Sequence, residues 1–328
     1  MLFNYEGVSI FINPYFILLL GLCIGIMGAY FGSKSMFITL PALSISGIPI
    51  IFALGTDLAH SCGRSLFDCY RYKLLKSINW YLVLVLSVFS VIGLLLSLKL
   101  ILWLETYSLT DIVVRSLYAF LLTGLILVLS LLHKNLLPNL KKPKLSLSST
   151  LNLSMLILIV FGVSSGFLTG LIGSGVLLLQ IPILIYLFNL TTPVIFASNL
   201  LAFLVTSSFG VILWSSNGLL GLLTTLLLLF GVVIGSQIGH FALGYIPSDK
   251  VSDKTKNFLV LMSAAKALLA VMSLMLGYIK FAKLLIMAAM LTPAAMVITF
   301  LILERMARYI MKIEADMAKE KSDYVNRS

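Results

Sequence analysis

Residues 151–189 read LNLSMLILIVFGVSSGFLTGLIGSGVLLLQIPILIYLFN and contain no charged side chain. They sit inside a longer run, 145–248, that has no Asp, Glu, Lys or Arg at all. A helix needs about 20 apolar residues to cross the hydrocarbon layer, so this run alone supplies several crossings. Its Leu, Ile and Val residues come in blocks rather than in alternation. A lipid-spanning chain satisfies its backbone only within helices or a closed sheet, so the blocks predict an all-α polytopic membrane protein, a helix bundle and not a barrel. The rest of the chain agrees: of 328 residues 60% are hydrophobic and 11% charged, with a mean hydropathy of +1.10. Inside the quoted stretch, Gly173-Ser174-Gly175 interrupts the apolar pattern, and segment 176–189 after it is too short to span comfortably.

The same interruption occurs twice. Apolar segments run 11–31, 36–47, 49–63, 78–103, 112–132, 151–171, 176–189, 194–213, 219–243, 258–279 and 284–303, and 36–47 and 49–63 are also short. Gly21, Gly25, Gly32, Ser33, Pro41 and Leu43 recur 141 positions later as Gly162, Gly166, Gly173, Ser174, Pro182 and Leu184. Slightly further on, Pro49-Ile-Ile-Phe-Ala meets Pro193-Val-Ile-Phe-Ala, and Thr56-Asp57-Leu58 meets Ser198-Asn199-Leu200. Glycines and prolines in register mark an internal duplication. Broken or short half-helices at corresponding positions of two halves point to a transporter binding site.

Loop charge sets the orientation of the halves. The loop from Arg64 to Lys76 is basic and its counterpart 214–218 is uncharged, while the acidic loop around Glu105 and Asp111 corresponds to one holding Lys250, Lys254 and Lys256. Equivalent loops therefore lie on opposite sides of the membrane, which makes the repeats inverted. Lys134, Lys141, Lys142 and Lys144 mark a cytoplasmic linker. The expected organisation is a first membrane repeat 1–133, a cytoplasmic linker 134–150, a second inverted repeat 151–280, a final transmembrane helix 281–303 and a charged cytoplasmic tail 304–328. The expected location is the cell membrane, with the amino terminus outside and the carboxyl terminus in the cytoplasm. Trp80, Trp103 and Trp214, near segment ends, are expected as interfacial anchors.

Other classes drop out. The net charge of +11 is scattered over short loops, so a nucleic-acid partner is not expected. Cys23, Cys62 and Cys69 are expected as free thiols, and no basic stretch precedes the first apolar segment as a cleaved signal peptide would require. The sequence has no metalloprotease, nucleophile-elbow or phosphate-loop pattern, and His60, His133 and His240 are dispersed. No enzyme activity, metal or cofactor is expected.

The candidate site follows from the breaks. Each half-helix start exposes unpaired N–H groups with a partial positive charge that suits an anion. Gly32, Ser33 and Ser35 in one half, and Gly173, Ser174 and Gly175 in the other, either form such a substrate site or are small residues for close helix packing. Lys34 either adds a full charge to the first start or snorkels to the surface. Asp57, His60 and Arg64 at i, i+3 and i+7 share one helical face, as a proton relay or as a structural ion pair. Asn199 stands where Asp57 stands in the other half, so the fold does not demand a charge there. Thr56, Ser198 and Asn199 follow the breaks as further substrate-binding candidates. Lys266, deep in segment 258–279, lines the cavity or neutralises Asp57. Thr39 and Gln180 are weaker polar candidates, and Gln237 and His240 are expected to serve packing.

Gly25-x-x-Gly28-x-x-x-Gly32-Ser33-Lys34 with Pro41, Gly55-Thr56-Asp57-Leu58-Ala59-His60, and Gly166-x-x-x-Gly170-x-x-Gly173-Ser174-Gly175 with Pro182 resemble the TauE/SafE sulfite exporter family of membrane permeases, over about residues 11–303. The family pattern usually has glycines where this chain has Ser33, Lys34 and Ser35. The resemblance implies export of sulfite, sulfonates or related small anions. The expected mechanism is alternating access at a midplane site between the repeats, one repeat rocking against the other, with the lipid bilayer and a small anion as partners and protons as the coupling ion if there is one. The competing expectations are a membrane-embedded sensor or enzyme that binds a sulfur metabolite without transport, and a cation or metabolite uptake carrier using Asp57. The residues do not specify an oligomeric state.

Overall fold

The computed structural model describes residues 2–5, 8–11, 13–31, 37–71, 78–133, 153–188, 190–244 and 253–289. A short antiparallel hairpin, β1 (Leu2–Tyr5) and β2 (Val8–Phe11), opens the chain, with Leu2 opposite Phe11. Among the described residues the rest of the body is built of helices: α1 (Pro14–Phe31), α2 (Thr39–Ile45), α3 (Ile50–Arg71), α4 (Trp80–Thr106), α5 (Thr110–His133), α6 (Leu153–Ile172), a 3-10 turn Gly173–Val176 leading into α7 (Leu177–Leu187), α8 (Thr192–Ser216), α9 (Leu222–Gly244) and α10 (Asp253–Met275). A further helical stretch covers 279–289. Among the described residues, four helices are long and apolar enough to cross a membrane: Trp80–Thr106, Met155–Val176, Pro193–Ser216 and Leu222–Phe241. This is a multi-pass membrane protein. The linker 134–150 and the tail 304–328 lie outside the described residues.

Two expectations change. Segment 49–63 is not short, because α3 continues to Arg71 and turns the supposed loop start, Arg64, into a buried helical residue only 4% exposed. Hydropathy ends the segment early because the helix carries its polar residues on one inward face. Trp214 is not an interfacial anchor: it is fully buried, with its ring over Gly55 of α3. Trp80 and Trp103, 61% and 55% exposed, keep the position expected of anchors.

Backbone proximity organises the bundle. α1 packs along α9 and α4 along α6. A Cβ on Gly25 would overlap the carbonyl oxygen of Val232 and come within 2.7 Å of the Ser236 nitrogen. A Cβ on Gly235 would overlap the carbonyl of Leu22. The other seam repeats both contacts, Gly166 against the carbonyl of Ser90 and Gly93 against that of Val163. Gly25 and Gly166, Leu22 and Val163, Ser90 and Val232, and Gly93 and Gly235 are equivalent positions of the two halves. Each seam thus joins a helix of one half to a helix of the other, and exchanging the halves converts one seam into the other.

The central helices obey the same exchange. α3 leans on α9 and α8 on α4, while α3 and α8 meet each other. Cys62 Sγ lies 3.2 Å from Ser208 Oγ, Leu58 packs by Gly210, and Trp214 packs by Gly55. Rising numbers on α3 meet falling numbers on α8, so these equivalent helices are antiparallel. The helices can be grouped as two bodies, α1, α3 and α9 in one and α6, α8 and α4 in the other, which meet along the extensive α3/α8 seam.

Candidate functional site

The second break is built around one glycine. α6 ends at Ile172, and Gly173 takes φ +75°, the left-handed region that an L side chain rarely enters. A Cβ there would also overlap a carboxylate oxygen of Asp57. The turn frees the next backbone N–H groups, and Asp57 from α3 accepts from them: Ser174 N donates to Asp57 Oδ2 at 2.7 Å and Ser174 Oγ donates to Asp57 Oδ1 at 3.0 Å. Both residues are fully buried. An amide tip of this kind binds oxyanions, and here it holds the protein's own carboxylate, carried by the opposite body.

α3 presents a buried polar face around that contact. Thr56, Asp57, His60, Ser61, Arg64 and Ser65 are all buried. Among the described residues neither ring nitrogen of His60 has a hydrogen-bonding partner, and neither do the hydroxyls of Thr56, Ser61 and Ser65. Each buried orphan costs about 1–3 kcal/mol unless a polar ligand or water satisfies it, so such a face suits a polar path and not lipid. At the far end of the face the Arg64 guanidinium fills the space over Gly28, with Nε 3.7 Å from Asp68 Oδ2. A crevice lined by Gly28, Arg64, Asp68, Ser236 and His240 adjoins it, with room for about one water molecule.

α2, which follows the first break, contacts the 3-10 turn of the second. Tyr118 of α5 joins them: its hydroxyl donates to the carbonyl of Phe37, and a Cβ on Gly175 would sit 3.2 Å from the same hydroxyl. Sequence reasoning missed Tyr118, Ser61 and Ser65. The available signal was periodicity, since Asp111, Arg115 and Tyr118 share a helical face at i, i+4 and i+7 and Arg115 bonds Asp111 at 2.6 Å.

Of the predicted site residues, Gly173, Ser174, Gly175, Asp57, Thr56 and His60 come together. Arg64 lies on the same face, about two turns from Asp57. Ser198 is drawn elsewhere: its hydroxyl accepts from the backbone of Asn79 at 2.8 Å, at the start of α4. Asn199 donates to Gln180 Oε1 at 3.1 Å within the second half. Lys266 is half-buried on α10, which packs on α5 and α2. Gly32, Ser33, Lys34 and Ser35 lie outside the described residues.

A family pattern described as "Sulfite exporter TauE/SafE" matches residues 17–253. The chain is 30% identical over 232 residues, 68% of its length and 89% of the relative's, to the "Probable membrane transporter protein YjnA" of Bacillus subtilis (strain 168). No solved structure matches. The match covers both seams, both breaks and the Asp57 face, and the chain belongs to the TauE/SafE sulfite exporter family of membrane transporters.

Proposed function

We propose that this transporter exports a small sulfur-containing or organic anion, such as sulfite or a sulfonate, by alternating access at a site between two inverted repeats. The observation that carries the reading is the buried Ser174 amide and hydroxyl holding a carboxylate. That arrangement binds a resonance-stabilised pair of oxygens, and sulfite and sulfonates present the same pair. The antiparallel course of α3 and α8 and the matching glycine seams support the inverted relation. The moving parts are the two mixed bodies rather than the repeats, because each seam locks a helix of one repeat to the other at backbone distance. Lys34 adds charge at the first break. With the amino terminus outside and the carboxyl terminus in the cytoplasm, an uncoupled monoanion is driven outward by about 2.3 kcal/mol per 100 mV of inside-negative potential.

Flux of sulfite from vesicles holding the purified protein tests this. Ser174→Leu is expected to lower flux at least tenfold, and Lys34→Ala to lower it severalfold. Wild-type rates in both variants remove the site.

A further inference from the structure

We propose that Asp57 is a built-in stand-in for the transported anion: the substrate takes over the Ser174 amide and hydroxyl that Asp57 holds, and it does so together with one proton, which Asp57 receives. This rests on the anion-transporter reading and adds its stoichiometry. The contact is two-pronged, Ser174 N to Oδ2 at 2.7 Å and Ser174 Oγ to Oδ1 at 3.0 Å, so it uses every donor of Ser174. It crosses the divide between the two bodies, and it is the one place among the described residues where an ionisable side chain of one body bonds the half-helix start of the other. Release of the contact is therefore coupled to their relative movement.

The charge of Asp57 is not needed to build the fold. At the equivalent position Asn199 turns to Gln180. Nor, among the described residues, is the polar capacity beside Asp57 used up, since the nitrogens of His60 and hydroxyls of Thr56 and Ser61, which find no partner there, lie within about one turn of it, fully buried. A ligand arriving at Ser174 finds donors and acceptors there.

The surroundings fix the sign of the coupling. The ionisable groups that interact with Asp57 are Arg64 on α3 and Tyr118 on α5, and His60 shares its helical face one turn on. α1, α2, α6, α7 and α8 contain no Asp, Glu, Lys, Arg or His, and α9 contributes only His240, beside Arg64. Arg64, the described cation that acts on Asp57, lies about two turns away beside Asp68, so a second negative charge on the Ser174 donors is accommodated when the carboxylate becomes a carboxylic acid. The proton comes from the aqueous side open at that moment and returns to water when the anion leaves. A monoanion then crosses as a neutral pair with its proton, driven by its own concentration gradient and the pH gradient and not by the membrane potential that acts on an uncoupled anion.

Isethionate, a strong-acid sulfonate that does not titrate between about pH 5 and pH 8, is the probe, with full-length protein in lipid nanodiscs. Calorimetry in buffers of different ionisation heat reads proton uptake directly. Wild type is expected to take up one proton per anion bound, with affinity falling towards tenfold per unit rise in pH above the titration of Asp57. Asp57→Asn is expected to bind without proton uptake, independently of pH, and at least tenfold tighter than wild type at pH 8. Ser174→Leu is expected to abolish binding in either background. Binding by wild type with no proton uptake and a flat pH profile overturns the coupling while leaving the anion site standing. Isethionate, sulfite and thiosulfate all failing to bind wild type and Asp57→Asn at every pH overturns both.

Discussion

Gly166→Leu is expected to leave no folded transporter, and Gly25→Leu to do the same at the equivalent position. Overfilling an ordinary core costs about 1–3 kcal/mol because side chains can turn aside. At Gly166 the obstacle is backbone: a Cβ would overlap the carbonyl oxygen of Ser90 and lie 2.5 Å from its Cα. Two helices would have to separate along their length, and the seam holds together through close van der Waals contact, since lipid provides no hydrophobic drive between helices. Against a total stability of about 5–15 kcal/mol, losing a seam is decisive. Gly124→Leu is the control, because among the described residues nothing lies within 4 Å of a Cβ there, and its stability is expected to stay within about 0.5 kcal/mol of wild type. Size-exclusion chromatography in detergent and thermal unfolding read the result. A monodisperse Gly166→Leu protein with the wild-type melting temperature would show that the α4/α6 seam is not a close-packed one.

Those glycines were visible in the sequence as a duplication, but their partners were not. Register shows that Gly25 and Gly166 are equivalent and is silent on what each touches, and the answer is a carbonyl on a helix of the other half. The Asp57 face shows the same limit. Helical spacing put Asp57, His60 and Arg64 on one side of α3, yet the contact from Asp57 to Ser174 spans 117 positions and no local pattern encodes it. The amide tip at Gly173-Ser174 was legible as an anion site, whereas its occupation by an internal carboxylate was not. α3 was cut short because a hydropathy window penalises polar residues whether they face lipid, water or the protein interior. Ser198 and Thr56 hold equivalent positions but differ in their bonds, Ser198 accepting from the start of α4, since repeats that share a backbone have diverged in what each hydroxyl bonds.

Oxidation of a Ser208→Cys variant is expected to stop transport outright and reduction to restore it. Cys62 Sγ and Ser208 Oγ are 3.2 Å apart, so a sulfur in place of that oxygen comes within side-chain adjustment of the about 2.05 Å disulfide length. The bond would staple α3 to α8 across the seam where the two bodies meet, in a background with Cys23→Ala and Cys69→Ser to leave one reactive pair. Vesicle flux is expected to fall below a tenth of the reduced control. Unchanged flux in the oxidised protein would mean that α3 and α8 move together. Spin labels then identify which units move. Leu19 on α1, Val88 on α4 and Leu226 on α9 are 47%, 52% and 54% exposed and tolerate a probe. Mixed bodies predict a Leu19–Leu226 distance that stays fixed when substrate is added and a Leu19–Val88 distance that changes. Motion of repeat against repeat predicts the reverse, because Leu19 and Val88 share a repeat and Leu226 does not. The backbone overlap that a single methyl group would create at Gly25 and Gly235 favours the first outcome, since α1 cannot slide along α9 without first moving away from it.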